Sequence, residues 1–286
     1  MPIRISEGRF FAELMQHFTL KECFKGAWRD AWHSILNRPD LLVLLIVYGL
    51  SCCIRIQMQL DEAAGASTMG HVTIRLMCSL VQGATWVGLP VQASRYVLLG
   101  PSQAKASRFF DRGFWRYWRV CLVIGLSVGA VALAAAVSLY MVARGLGHRL
   151  DHASSLLLIV VTALFAAAVL IYISARLCLL LCHVAIGGSA RWRAAWRDTR
   201  GHFWSIWGTH FVVALPLSVV LIVCYRLAPP VLREIGGNST TWFFGIVPAV
   251  GMTVLILVNV SSSAWLYRRY ANEIRESTTW ERVEPK

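Results

Sequence analysis

The sequence predicts an all-α membrane protein: six transmembrane helices forming three helical hairpins, each hairpin preceded by a cytoplasmic amphipathic interfacial helix. Three observations predict it. Of 286 residues, 57% are hydrophobic and only 15% are charged, whereas ordinary soluble domains carry about 25% charged residues. The apolar residues come in blocks, each long enough to cross roughly 30 Å of hydrocarbon as an α-helix; the mean hydropathy is +0.56. The tetrapeptide Ala-Trp-Arg-Asp occurs twice, at 27–30 and 195–198, each time shortly before an apolar block.

The whole chain, 1–286, reads as one integral membrane domain, with 1–40 a cytoplasmic amphipathic segment, 41–266 the six-span bundle and 267–286 a cytoplasmic tail. In the first segment Phe24, Ala27, Trp28, Ala31, Trp32, Ile35 and Leu36 recur at helical spacing, with Lys25, Arg29, Asp30, His33 and Ser34 on the other side. That is the pattern of an amphipathic helix. Thr19 and Glu22 fit a capping box ahead of it, and Pro39-Asp40 ends it and starts span one. Spans one and two cover 41–57 and 71–93. The stretch RFFDRGFWRYWRV, 108–120, repeats the amphipathic plan, with Phe110, Phe114, Tyr117, Trp118 and Cys121 opposed to Arg108, Arg112, Arg116 and Arg119. Spans three and four follow at 120–143 and 156–175. The third leading helix sets Trp192, Ala195, Trp196, Thr199, Phe203 and Ile206 against Arg193, Arg197 and Arg200, ahead of spans five and six at 206–227 and 242–266.

The leading helices recur at about 80 to 85 residues, the kind of period that marks repeated units. The ends of the second, fourth and sixth spans also rhyme: ASRYVLLG, SARLCLLLC and SAWLYRRY. Tandem copies and convergence on one interface chemistry both explain this. Trp28, Trp32, Trp118, Trp192, Trp196 and Trp204 are the interfacial anchors this pattern proposes, because tryptophan favours the headgroup region.

Charge placement sets the orientation. The net charge is +13. The basic residues gather in the N-terminal segment (Arg4, Arg9, Lys21, Lys25, Arg29, Arg38), the loops after spans two and four, and the tail (Arg268, Arg269, Arg275, Arg282, Lys286). The alternate loops hold only Arg144, Arg149 and Arg233. Cationic loops stay cytoplasmic, so both termini are read as cytoplasmic, in a bacterial inner membrane. Topology and anionic headgroups account for the basic excess, and no nucleic-acid partner is called for. No cleaved signal peptide is apparent in the first 40 residues. Seven of the eight cysteines fall in or beside apolar spans, and Cys23 lies on the cytoplasmic side, so no disulfide framework is implied.

The segment SARLCLLLCHVAIGGSARWRAAWRDTRGHFWSIWG, 174–208, resembles a motif of bacterial membrane proteins related to the membrane domain of glycerophosphodiester phosphodiesterases. Arg176, Trp196, Thr199, Gly201 and Trp204 fall on its pattern. SRYVLLG followed by FWRYW looks like a companion motif of uncharacterised inner-membrane proteins. Ala195 stands where serine is usual, Asp198 where leucine is usual, and Cys182-His183 near where proline is usual. The resemblance implies no activity: in the phosphodiesterases the chemistry sits in a separate soluble domain, for which spans and short connections leave no room here.

The sequence offers little chemistry. No span carries a carboxylate at mid-depth, which argues against a proton relay or an aspartyl protease. HExxH, GxSxG, Walker A and GxGxxG motifs are missing. Arg95, Arg176 and Arg268 take matching places at the ends of the second, fourth and sixth spans. Either each snorkels to the interface, or the three converge as a site for an anionic lipid phosphate, which the planar guanidinium fork suits. Cys178, Cys182 and His183 have metal-ligand chemistry but read better as buried packing; no metal and no cofactor is expected. Asn259 and Gln82 read as interhelical hydrogen-bonding groups. Gly125, Gly129, Ala132 and Ala136 form a small-residue stripe suited to helix packing within or between chains. Pro90, Pro216 and Pro248 suit kinks or hinges.

The leading functional expectation is therefore a non-enzymatic membrane protein that binds or organises anionic lipid or supports a membrane partner, as a monomer or a homo-oligomer. A transporter or channel for a small solute or lipid is the alternative, and an intramembrane enzyme on a lipid phosphate trails both.

Overall fold

The computed structural model describes residues 20–63, 69–106, 109–145, 152–235 and 239–275. Arg4, Arg9 and Thr19 of the N-terminal segment, Arg108, Arg149, and the tail from residue 276 with Arg282 and Lys286 lie outside the described residues. In order, the helices are α1 (Leu20–Asn37), α2 (Pro39–Ala63), α3 (Met69–Leu99), α4 (Pro101–Ala106), α5 (Arg112–Gly145), α6 (His152–Ala185), α7 (Trp192–Asp198), α8 (Phe203–Ile235) and α9 (Ser239–Tyr270). The described residues contain no strand. Six helices are long and apolar enough to cross a membrane, with candidate spans Pro39–Glu62, Met69–Leu99, Arg112–Ser138, Val160–Ala185, Phe203–Ala228 and Phe243–Tyr270. The chain is an all-α, six-span, multi-pass membrane protein.

Each span pairs with the next into a hairpin, and the second member of each hairpin lies inside. Helices α3, α6 and α9 contact one another, and α9 also packs on α1, α2 and α8. Helices α2, α5 and α8 flank this trio. Their outer faces carry exposed Ile46, Leu126 and Ile222, as lipid contact requires. Helices α3, α8 and α9 run unbroken through Pro90, Pro216 and Pro248.

The three leading stretches join their spans differently, for local reasons. Between α1 and α2 only Arg38 is non-helical. Pro39 opens α2, where a missing N–H costs nothing. After α7 the chain turns through Gly201, whose φ of +83° favours glycine, before α8 begins. The middle stretch has no such breaker. Asp111 accepts a hydrogen bond from the Phe114 amide at 2.7 Å and so caps α5; from Arg112 the helix runs on as the span itself.

The buried face of helix α1 is turned from the one its apolar spacing suggests: of that face Ala27 and Ala31 are buried and Phe24, Trp28 and Ile35 half-buried against the core, while Trp32 and Leu36 are not. Its buried residues are small: Cys23, Gly26, Ala27, Ala31 and Ser34. Trp32 and Leu36 are 60% and 61% exposed. The partner decides this. A Cβ at Gly26 would meet the Trp265 ring of α9 at 2.4 Å, so only glycine lets that indole close on the helix. Trp28 turns inward too, and its Nε1 donates to Val213 O of α8 at 3.1 Å.

Candidate functional site

The helix ends place α1, α4, α7 and the starts or ends of all six spans at one pole of the bundle, called here the basic end. Arg95, Arg176 and Arg268 all lie there, yet each guanidinium meets a different set of protein groups. Arg95 is 2% exposed. Its Nε donates to Ala185 O at 2.8 Å, and its NH2 group donates to both Asp111 oxygens at 2.6 and 2.8 Å. Gly113 gives it room, since a Cβ there would meet that nitrogen at 2.6 Å. Arg176 donates to Trp196 O at 3.4 Å, Thr199 Oγ1 at 3.3 Å and Tyr172 OH at 3.1 Å. Its guanidinium lies 5.1 Å from the centres of both the Tyr172 and Trp196 rings. Arg268, half-buried, donates to Val97 O and lies 5.8 Å from the Trp265 ring.

These bonds share a rule. The second span of each hairpin reaches into the unit that follows. Arg95 of α3 grips Asp111 and Ala185 of the second unit. Arg176 of α6 grips Trp196 and Thr199 of the third. The circle closes through α9: Trp265 donates to Asp30 Oδ2 of α1 at 3.0 Å, and Arg268 bonds Val97 of α3. The two Ala-Trp-Arg-Asp copies thus use their aspartates as acceptors in docking. Asp30 receives Trp265, while Asp198 receives the backbone amides of Glu273 and Ile274 at 3.0 and 3.1 Å. Burial pushes the Asp198 carboxyl up from its ordinary range in spite of those two bonds.

Sequence reasoning missed a further buried cation. Arg38, in the break between α1 and α2, is 5% exposed. It bonds Asp40 Oδ1 at 2.8 Å and Ala104 O at 2.7 Å, and Gln92 Oε1 at 2.9 Å. The neighbouring Pro39-Asp40 was legible as a helix break, but a contact 54 residues distant was not. Expected as interhelical donors, Gln82 donates to Cys52 Sγ at 3.6 Å and accepts from Arg55 NH1 at 3.1 Å, while Asn259 donates within its own helix and turns its Oδ1 to His210 at 3.3 Å. Around Cys178, Cys182 and His183 the histidine ring turns to Tyr267 OH at 2.8 Å; among the described residues no group of three potential metal ligands occurs.

The aromatic anchors sort by exposure. Trp32, Trp192, Trp196 and Trp204 are exposed, and so is Trp115, which was not among the predicted six. Trp28 and Trp118 are half-buried, and Trp118 packs on the core around Leu179. Beside the exposed rings stand exposed Arg112, Arg116, Arg119, Arg193, Arg197 and Arg200. Gly125 and Gly129 have nothing within 4 Å of where a Cβ would stand, so the glycine step that opens the small-residue stripe makes no close helix contact among the described residues.

A cavity of about 340 Å³ lies among α3, α5, α6, α8 and α9. Ser94, Tyr117, Ser174, Cys178, Cys182, Trp207, His210, Asn259 and Ser263 supply its polar and aromatic lining, and among the described residues no Asp, Glu, Lys or Arg lines it. Ser262 donates its hydroxyl to Asn259 O at 2.7 Å and stands 2.8 Å from His210 Nδ1. Against known proteins, the chain matches no family model, no curated protein and no solved structure.

Proposed function

We propose that this chain is a non-enzymatic multi-pass protein of a bacterial inner membrane, with its basic end in the cytoplasm, and that the exposed part of that end holds anionic lipid. One observation carries the reading. On α5 and α7 exposed tryptophans stand next to exposed arginines: Trp115 beside Arg112, Arg116 and Arg119, and Trp192 and Trp196 beside Arg193 and Arg197. An indole at headgroup depth with a guanidinium beside it suits a lipid phosphate. The role moves outward from Arg95, Arg176 and Arg268, whose guanidinium groups are buried or half-buried against protein partners; Arg197, although paired with Glu273 at 2.7 Å, keeps its side chain 66% exposed. Transport of a small solute or lipid is a second reading, favoured by the largely apolar cavity among the spans and its few polar side chains.

The test is thermal unfolding in nanodiscs of phosphatidylcholine, with and without phosphatidylglycerol. A basic residue near an anionic surface contributes about 1 kcal/mol, and salt screens it over about 10 Å at 0.1 M. Phosphatidylglycerol raises the Tm of the native chain at low salt. The variant Arg116→Gln/Arg119→Gln/Arg193→Gln/Arg197→Gln loses most of that rise. Equal Tm values in the two lipids, or an undiminished rise in the variant, contradict the proposal.

A further inference from the structure

We infer that the cavity among α3, α5, α6, α8 and α9 is a binding site for a neutral lipid alcohol: a molecule with a hydroxyl donor and an apolar body, entering from the membrane half at the basic end. This does not rest on the anionic-lipid reading, since among the described residues no cation lines the cavity.

The argument starts from one proton. Asn259 is fixed by its own helix, its amide nitrogen donating to Leu255 O at 2.9 Å. Its Oδ1 therefore faces His210 Nδ1, at 3.3 Å. Ser262 has a single hydroxyl hydrogen; sent to Asn259 O at 2.7 Å, it leaves the Ser262 oxygen to accept from the histidine at 2.8 Å. That assignment sets two acceptors against Nδ1, and on it we place the ring proton at Nδ1. Nε2 is left with its lone pair. It has no hydrogen-bonding partner among the described residues and is open to the cavity.

Ser174 donates to Leu170 O, so its hydroxyl turns only lone pairs outward. The lining also holds the Trp207 indole N–H and the Tyr117 hydroxyl, and no charged side chain among the described residues. An anion finds no cation there. A cation finds no carboxylate. A neutral hydroxyl finds the Nε2 lone pair at the polar end and apolar Ile171, Leu181 and Val260 for its body. About 340 Å³ is at the small end of ligand sites. His210 lies about 10 Å along α8 from Phe203, which sets the site at acyl-chain depth below the headgroups. Exposed Ser174 and Ile171 and half-buried Trp207 mark the side of α6 and α8 on which it opens.

The experiment uses the full chain in phosphatidylcholine nanodiscs. The probe is a long-chain alcohol with a diazirine close to the hydroxyl, compared with its methyl ether and with a diazirine fatty acid. After irradiation, labelled peptides are mapped by mass spectrometry. The alcohol labels the peptides holding 171–182, 207–210 and 259–263, about fivefold more than the ether, the worth of one net hydrogen bond. His210→Phe removes that preference. Ser263→Leu, which narrows the cavity while keeping His210, lowers labelling by both probes and covers the case in which the histidine variant does not fold. Equal labelling by alcohol and ether, preferred labelling of the cavity by the fatty acid, or label spread over the outer faces with none in the cavity each overturns the inference.

Discussion

Replacing Asp111 with alanine separates an internal brace from a lipid ligand. In the native chain Arg95 has a side chain 3% exposed and Asp111 one 34% exposed. Removing the carboxylate strands a buried guanidinium, and breaking a buried pair costs about 3 to 5 kcal/mol. Water reaches Asp111, so the lower end, about 3 kcal/mol, applies. Asp111 also caps α5 through the Phe114 amide, and losing a cap adds about 1 kcal/mol. The total, about 4 kcal/mol, is a large part of the 5–15 kcal/mol that holds a typical domain. Asp111→Asn keeps most of the cap and costs about 3 kcal/mol. Arg95→Met/Asp111→Asn removes the stranded charge and recovers more than half of that. The assay is reversible unfolding in mixed dodecylmaltoside and dodecyl sulfate micelles, followed by tryptophan fluorescence, on both single variants and the double. The cycle yields a coupling of at least about 1.5 kcal/mol, unchanged by added phosphatidylglycerol. If the single effects simply add, or if the coupling vanishes when anionic lipid is supplied, the brace is the wrong description of Arg95.

Two further outcomes follow from the packing and the titrations. Gly26→Ala drives a methyl group into the Trp265 ring and undocks α1 from α9. Cys23, whose thiol burial pushes up to about 11, then reacts with maleimide about tenfold faster or more, read on its peptide by mass spectrometry; an unchanged rate argues against this docking. Asp198 has its carboxyl pKa raised by burial, so the folded state holds its proton above the ordinary 3.8. The folded state then binds more protons than the unfolded one in that window, and stability falls as pH rises through it, with the full cost present at neutral pH. Asp198→Asn keeps an acceptor oxygen for only one of the Glu273 and Ile274 amides but does not ionise, so its Tm relative to the native chain is higher at pH 7 than at pH 4. A variant less stable at pH 7 than at pH 4, relative to native, reverses that sign.

The spans were legible because a bilayer demands a run of apolar residues, and a run is visible without knowing any partner. The boundaries came out longer in the structure: α3 continues to Leu99 and α6 to Ala185, because Arg95 and Arg176 find partners that let them stay helical and buried. The gathering of Arg and Trp beside the span ends was legible too. What those residues do there was not. Trp28 and Trp32 look alike in the spacing, yet one donates to Val213 and the other is exposed, because a single indole, Trp265, selects the small face of α1. Arg95, Arg176 and Arg268 look alike as well, but their roles depend on carbonyls and carboxylates from other units, 16 to 171 residues away in sequence. His210 and Ser262 are 52 residues apart. Helix periodicity carries no information about such pairs.

The most direct test of the central claim is native mass spectrometry of the protein released from nanodiscs of mixed phosphatidylcholine and phosphatidylglycerol, comparing the native chain with the Arg116→Gln/Arg119→Gln/Arg193→Gln/Arg197→Gln variant. The account predicts that the native chain retains phosphatidylglycerol above its share of the bilayer and that the variant does not. Retention in proportion to the bilayer for both, or enrichment that survives in the variant, contradicts the claim that the exposed basic end holds anionic lipid.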